Sequence, residues 1–243
     1  MIVFPKNWEK IGTAVIGVDI EERLTKVLKE IHCNCLSLSG GLDSSLLLYY
    51  MCQIFHDVHV FTIGLSENHP DIIFAKKAIE YNKKVWRWTN IWPKFYFPTS
   101  GEVKDTGGKE GFLGDKTVQR FYKFVGLTAN EIIAGDTVDE YMCGYYAHMA
   151  NPTEEVYYDH IRRLQKNHLV PLDVNSDKIR VYLPYADEKI IAMLSQIPLK
   201  DKVDSKNRKK VLMGLAKGKV PDEIIERRKY GFCDVLNIKE ARP

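Results

Sequence analysis

Seven residues near the start of the chain, Ser39-Gly40-Gly41-Leu42-Asp43-Ser44-Ser45, combine the side chains and the backbone freedom needed to hold a phosphorylated ligand. They follow an apolar run, Cys35-Leu36-Ser37-Leu38, and precede another, Leu46-Leu47-Leu48-Tyr49-Tyr50. That order predicts a strand, a glycine turn and a helix start. Two glycines allow backbone angles that other residues resist, and let an anion approach the main chain. Amides of the turn and of the first helical turn then face the anion, with the positive end of the helix dipole behind them. Ser39, Ser44 and Ser45 add hydroxyl donors, and Asp43 offers a carboxylate to a magnesium ion. Gly-Gly alone also suits an ordinary turn with a Ser/Asp helix cap. The complete heptapeptide after a buried strand favours a nucleotide loop.

A second cluster follows the apolar run Ile132-Ile133-Ala134. It reads Gly135-Asp136-Thr137-Val138-Asp139-Glu140-Tyr141-Met142-Cys143-Gly144-Tyr145. Three carboxylates at one strand end repel one another unless a cation or ligand joins them. A magnesium ion shared with Asp43 would do so, because magnesium takes a few carboxylates together with phosphate oxygens and water. An acidic helix N-terminus, where Asp and Glu stabilise the dipole, is the alternative.

The elements that must position these residues alternate. Helices are expected at Ile20 to Ile31, Asp71 to Tyr81 and Thr117 to Val125, where apolar residues recur at helical spacing. Strands are expected at Cys35–Leu38, His59–Leu65, Lys84–Trp86 and Glu131–Gly135. Residues 90–114, rich in Pro, Gly and aromatics, read as irregular, and the chain beyond 146 as mostly helical. The pattern predicts an α/β fold with a parallel, doubly wound sheet and a mostly helical C-terminal part. In such a sheet ligands sit beyond the carboxyl ends of the strands. The expected organisation is an N-terminal helical segment (1–30), an α/β nucleotide-binding core (31–145) and a helical part (146–243).

Composition narrows the class. The 243 residues are 45% hydrophobic and 28% charged, as in a soluble globular protein. A net charge of +3 is too mild to imply nucleic acid. No apolar run approaches the ~20 residues of a membrane span, and no signal peptide is visible at Met1–Lys6. Five scattered cysteines point to a reduced, cytoplasmic setting.

The first loop lacks the Gly-Lys-Ser/Thr ending of a Walker A motif. It resembles instead the PP-loop of the ATP pyrophosphatases, which bind the pyrophosphate end of ATP and cut between the α and β phosphates. The chain as a whole resembles the synthetase domain of the asparagine synthetase family, whose relatives include β-lactam synthetase and lasso-peptide cyclases. That family carries Ser-Gly-Gly-Leu-Asp-Ser-Ser, a Phe-Thr-Ile-Gly strand, and a Gly-Glu/Asp-Gly-x-Asp-Glu-Leu-Phe-Gly-Gly-Tyr segment. An Arg/Pro-Phe-Leu-Asp element and a Pro-x-x-hydrophobic-x-x-Arg-x-Lys-x-Gly-Phe element follow. Here the first stands intact, as does Phe61-Thr62-Ile63-Gly64. The third has Cys143 where the family usually has glycine, and the last two correspond to Leu183–Asp187 and Pro221–Phe232.

The resemblance implies ATP and Mg2+ as cofactors. The backbone near Leu36, Ile63, Ala134 and Gly135 would cradle adenine and ribose, and Ser39, Gly40, Gly41, Asp43 and Ser44 would hold phosphates. Asp43 and Asp139 would bind the metal. Asp136 stands where relatives place a carboxylate, often glutamate, near the reacting substrate, and Lys229 matches a lysine that stabilises charge at the adenylate. The implied activity is an amide-forming ligase: a carboxylate, aspartate first among candidates, is adenylated with loss of pyrophosphate, and an amine such as ammonia displaces AMP. Glutamine-fed members begin Met-Cys, whereas residue 2 here is Ile, and no glutaminase domain fits before Ser39. The expected nitrogen source is therefore free ammonia, a separate glutaminase subunit or another amine. A homo-oligomer stays open; a membrane or nucleic-acid partner is not expected.

Other signals carry less. Cys33-x-Cys35 suits buried thiols better than a metal pair, and the absence of Cys-x-x-Cys speaks against tRNA thiolation or deazaguanine nitrile synthesis, the alternative PP-loop chemistries. A nucleotide-binding subunit without turnover is the third reading. Trp86, Trp88 and Trp92 suit packing or a substrate wall, and Thr106–Gly111 a mobile flap rather than a second phosphate loop. The basic run Ser205–Lys210 reads as a solvated helix start.

Overall fold

The computed structural model describes residues 2–3, 19–99 and 115–228. Lys229 and the Thr106–Gly111 segment lie outside the described residues.

The core is a six-stranded, wholly parallel sheet in the order β1-β6-β5-β2-β3-β4. The strands are β1 (Ile2–Val3), β2 (Cys35–Ser37), β3 (Asp57–Ile63), β4 (Asn90–Tyr96), β5 (Glu131–Ile133) and β6 (Arg180–Tyr182). From β2 the chain adds β3 and then β4 outward on one side. It then returns to the other side of β2 to add β5, with Leu36 opposite Ile133. The strand order therefore reverses between β2 and β5, and the crevice beyond their carboxyl ends is where a doubly wound sheet takes its ligand.

The helices follow from patterning and caps. In α1 (Ile20–Ile31), Leu24, Val27 and Leu28 form the buried stripe, and the Asp19 side chain accepts the Glu21 amide at 3.1 Å. α2 (Leu42–Ile54), which carries the end of the phosphate loop, is buried along most of its length and packs on α1 and α3. α3 (Pro70–Val85) starts with proline at its first position and His69 as cap. α4 (Lys116–Val125) is capped by Asp115. Short helices then follow: α5 (Val138–Tyr141), α6 (Tyr146–Ala150) and α7 (Glu154–Leu164), a π-helical turn (Gln165–Leu169), and α8 (Val170–Asn175). After β6 come a 3-10 turn (Pro184–Ala186), α9 (Glu188–Gln196), α10 (Leu199–Lys202), α11 (Lys210–Ala216) and α12 (Asp222–Ile225). No helix among the described residues is long and apolar enough to cross a membrane.

Three local expectations fail. Lys84-Val85 is not a strand but the last turn of α3, closed by the Trp86 amide on Asn82 O. The stretch expected to be irregular opens with β4, seven residues in parallel register with β3. Pro93, which cannot donate to a ladder, is tolerated because β4 is an edge strand. The C-terminal part contributes β6 to the sheet, where short alternation in Arg180-Val181-Tyr182 gave no visible signal.

Candidate active site

Hydrogen bonds made within the phosphate loop hold its shape. Thr62 Oγ1, buried on β3, donates to Leu38 O at 2.7 Å and fixes the end of β2. The Ser39 amide donates to Ser44 Oγ at 3.2 Å, and the Gly41 amide to Ser39 Oγ at 3.2 Å. Gly40 lies in the left-handed region (φ 67), and a Cβ there would run into the backbone of Phe74 and Ala75. Gly41 caps α2 without a side-chain hydrogen bond. Behind the loop, buried Tyr185 donates its hydroxyl to Asp43 O at 3.1 Å. Asp187 does structural work: it caps α9 and accepts from Arg23 Nε at 2.8 Å.

The acidic segment leaves β5 beside this loop. A Cβ on Gly135 would touch Asp43 Cβ at 3.4 Å, so the two motifs meet backbone to backbone. Asp43 and Asp139, 96 residues apart in the chain, converge in space: Lys209 Nζ lies 2.5 Å from Asp43 Oδ2 and 2.5 Å from Asp139 Oδ1. Burial pulls the Lys209 pKa down, but the charges of Asp139 and Asp43 outweigh it and leave it raised. Gly144 makes room for this triad, since a Cβ there would overlap Asp139 and Lys209. Glu140 is buried and its carboxyl is pushed up by desolvation; Tyr145 OH donates to it at 2.7 Å.

Asp136 has a partner that was not anticipated. Its Oδ1 accepts from His168 Nε2 at 2.7 Å. His168 rides on the π-helical turn, where one extra residue re-aims a side chain. Both residues are about a quarter exposed.

These groups line one cavity of about 420 Å³ at the switch between β2 and β5. Of the residues expected at the site, Ser39, Gly41, Asp43, Ser44, Gly135, Asp136 and Asp139 face it. Gly40 lies behind the loop. The side chains of Leu36, Ile63 and Ala134 are buried in the sheet and not in the cavity wall; their expected role concerned main-chain atoms at strand ends. His168, Lys209, Arg208 and Arg227 also line it.

A model of the asparagine synthase family matches residues 34–178 and 175–242. The chain belongs to the asparagine synthase family. Among curated proteins no match to the chain was found. The family is one of ATP-dependent amide-forming ligases, and its synthetase-type domain is the part matched. The asparagine synthase motif quoted above also explains two backbone features. It carries glycine where this chain has Thr137 and Cys143, and both adopt the left-handed region (φ 77 and φ 57) that glycine enters without strain.

For magnesium, the donor chemistry fits. Asp43 and Asp139 present hard oxygens to a single point already occupied by a cationic group, Lys209 Nζ. Phosphate and water would supply the remaining ligands. Among the described residues no cluster of three or more His, Cys, Asp or Glu side chains forms a metal cage.

Proposed function

We propose that the chain adenylates a carboxylate substrate with ATP, releasing pyrophosphate, and then transfers an amine to the activated carbonyl with loss of AMP. Aspartate and ammonia are the leading pair. The observation that carries this reading is the convergence of Asp43 and Asp139 beside the serine-glycine loop, at the sheet's switch point.

In the first step Ser39, Gly40, Gly41, Asp43 and Ser44 would hold the β and γ phosphates, Asp43 through its amide and the metal, with adenine and ribose along the strand ends near Leu36, Ile63, Ala134 and Gly135. Asp43 and Asp139 would hold magnesium, which offsets the charge of the departing pyrophosphate. Lys209, whose Nζ spans both carboxylates, would yield that point to the metal and add its positive charge from beside it, and Lys229, by its match to the family lysine, is assigned charge stabilisation at the adenylate. A cation ~4 Å from a phosphate oxygen is worth roughly 4 kcal/mol at an effective dielectric near 20.

In the second step the attacking amine must shed a proton. Asp136 and His168 form a carboxylate–imidazole pair in the cavity wall, in hydrogen-bond contact at 2.7 Å. Aspartate is one methylene shorter than the glutamate common in relatives; the imidazole extends the pair's reach. The pair is placed to accept the proton, with the carboxylate orienting the ring and stabilising its charged form.

The test is to supply ATP and magnesium with a panel of amino acids and ammonia, and to identify the products. AMP and pyrophosphate, formed only with a matching acid, support the reading; ADP and orthophosphate refute it. Hydroxylamine, already unprotonated near neutral pH, should trap the acyl-adenylate in His168→Ala, while ammonia-dependent amide formation falls.

A further inference from the structure

Arg227 is given no part in the chemistry above, yet its guanidinium reaches the back of the phosphate loop. Its Nη1 donates to Ser39 O at 2.9 Å. Its Nη2 donates to Asp71 Oδ1. Its Cζ lies 4.6 Å from the centre of the Phe74 ring. The side chains of both charged partners are more than nine-tenths buried.

Each contact is itself held in place. Asp71 lies in the first turn of α3, where its amide donates to the capping His69 Nδ1 at 3.2 Å. Phe74, one turn further on, is at once the platform under the guanidinium and the floor under Gly40, whose missing Cβ would come within 2.6 Å of the Phe74 carbonyl carbon. The loop after β2, the helix after β3 and the segment after α12 therefore meet at the Ser39 carbonyl. In a trans peptide the C=O and the next N–H are antiparallel, so a bond that fixes Ser39 O also aims the Gly40 amide. The planar guanidinium donates in two directions while lying on a ring; a lysine ammonium does not reproduce that geometry.

We propose that Arg227, held by Asp71 and Phe74, is a positioning residue that sets the Ser39–Gly40 peptide of the phosphate loop. This rests on the nucleotide-loop reading only for its functional consequence. The structural consequence is independent of that reading.

Three measurements on the 243-residue chain test it, using Arg227→Lys and the charge exchange Asp71→Arg/Arg227→Asp. Hydrogen exchange of the amides of residues 39–45 should quicken about tenfold or more in Arg227→Lys, the size expected when a charge-assisted hydrogen bond is lost, while β3 keeps its protection. Binding of inorganic pyrophosphate with magnesium, measured by calorimetry, should weaken by a similar factor. The charge exchange, where it folds, should recover thermal stability without recovering pyrophosphate binding. Unchanged loop exchange and unchanged pyrophosphate affinity in folded Arg227→Lys would overturn the clamp alone. A wild-type chain that binds no pyrophosphate, with loop exchange still quickened by Arg227→Lys, would remove the nucleotide-loop reading and leave the clamp standing.

Discussion

Two loops leave neighbouring strands and face each other across the cavity, and they are built differently. The loop after β2 uses glycine where its backbone turns left-handed, at Gly40, and runs into a thirteen-residue helix buried along most of its length. Neutral hydrogen bonds among its own serines tie it together. The segment after β5 places threonine and cysteine in left-handed conformations, at Thr137 and Cys143, around a four-residue helix. Charge holds it together: Lys209 between Asp139 and Asp43, and a buried Glu140 under Tyr145. The first loop is the more rigid because glycine relaxes its backbone and its support joins the buried α2 to the Arg227–Asp71 pair at Ser39 O. The second stores strain of order 1–3 kcal/mol per left-handed residue and depends on ion pairs to keep its shape.

Substitutions can break or sharpen this contrast. Gly40→Ala should have the largest effect, about 3 kcal/mol or more, since it adds left-handed strain to a backbone collision. Urea unfolding measures it, and a mild result would mean that the loop after β2 is not the rigid one. Asp43→Ala should lower pyrophosphate release by about two orders of magnitude or more while circular dichroism stays native, because it removes a carboxylate proposed to hold the metal and a partner of Lys209.

A pH series probes the charged side. Lys202, on α10, is buried against Tyr157 and donates to its hydroxyl at 2.7 Å. Burial lowers its pKa from 10.5 to about 8. Between those values the unfolded chain binds the extra proton, so the lysine's contribution makes stability climb as pH rises from about 8 towards 10.5. Lys202→Met should flatten that climb in urea titrations at the two ends of the window; an identical slope in both proteins would show that another group carries it. The smallest effects should come from Thr137→Gly and Cys143→Gly. Each relieves left-handed strain but adds chain entropy to the unfolded state, so the net change should stay within about 1 kcal/mol, on the stabilising side. A large destabilisation would show that packing of those side chains, and not strain, governs the segment.

Local chemistry made the site legible. The seven residues from Ser39 to Ser45 contain their own turn, donors and carboxylate, and the acidic run carries its signal in eleven neighbouring positions. The rest depends on contacts between distant segments. Lys209 and Arg227 sit in basic runs whose composition suits a solvated face; only folding brings them to Asp43 and Asp71. His168 carries no local mark, because the π-helical turn that aims it is not a periodicity. The sheet followed the same rule. β3, β2 and β5 lie in apolar runs, whereas Pro93 concealed β4, and Val181 between Arg180 and Tyr182 offered no such run for β6.

The order of the strands has a consequence for how the molecule comes into being. β2, β3 and β4 join through short, sequential crossovers, but Leu36 finds Ile133 about a hundred residues later, and such remote pairings close late because loop entropy must be overcome first. During synthesis the serine-glycine turn can therefore make its own serine hydrogen bonds while its facing wall, and the Arg227 that fixes Ser39 O, are still unmade. Until β5 docks, the chain exposes one flank of β2, an unpaired edge open to aggregation and to chaperones.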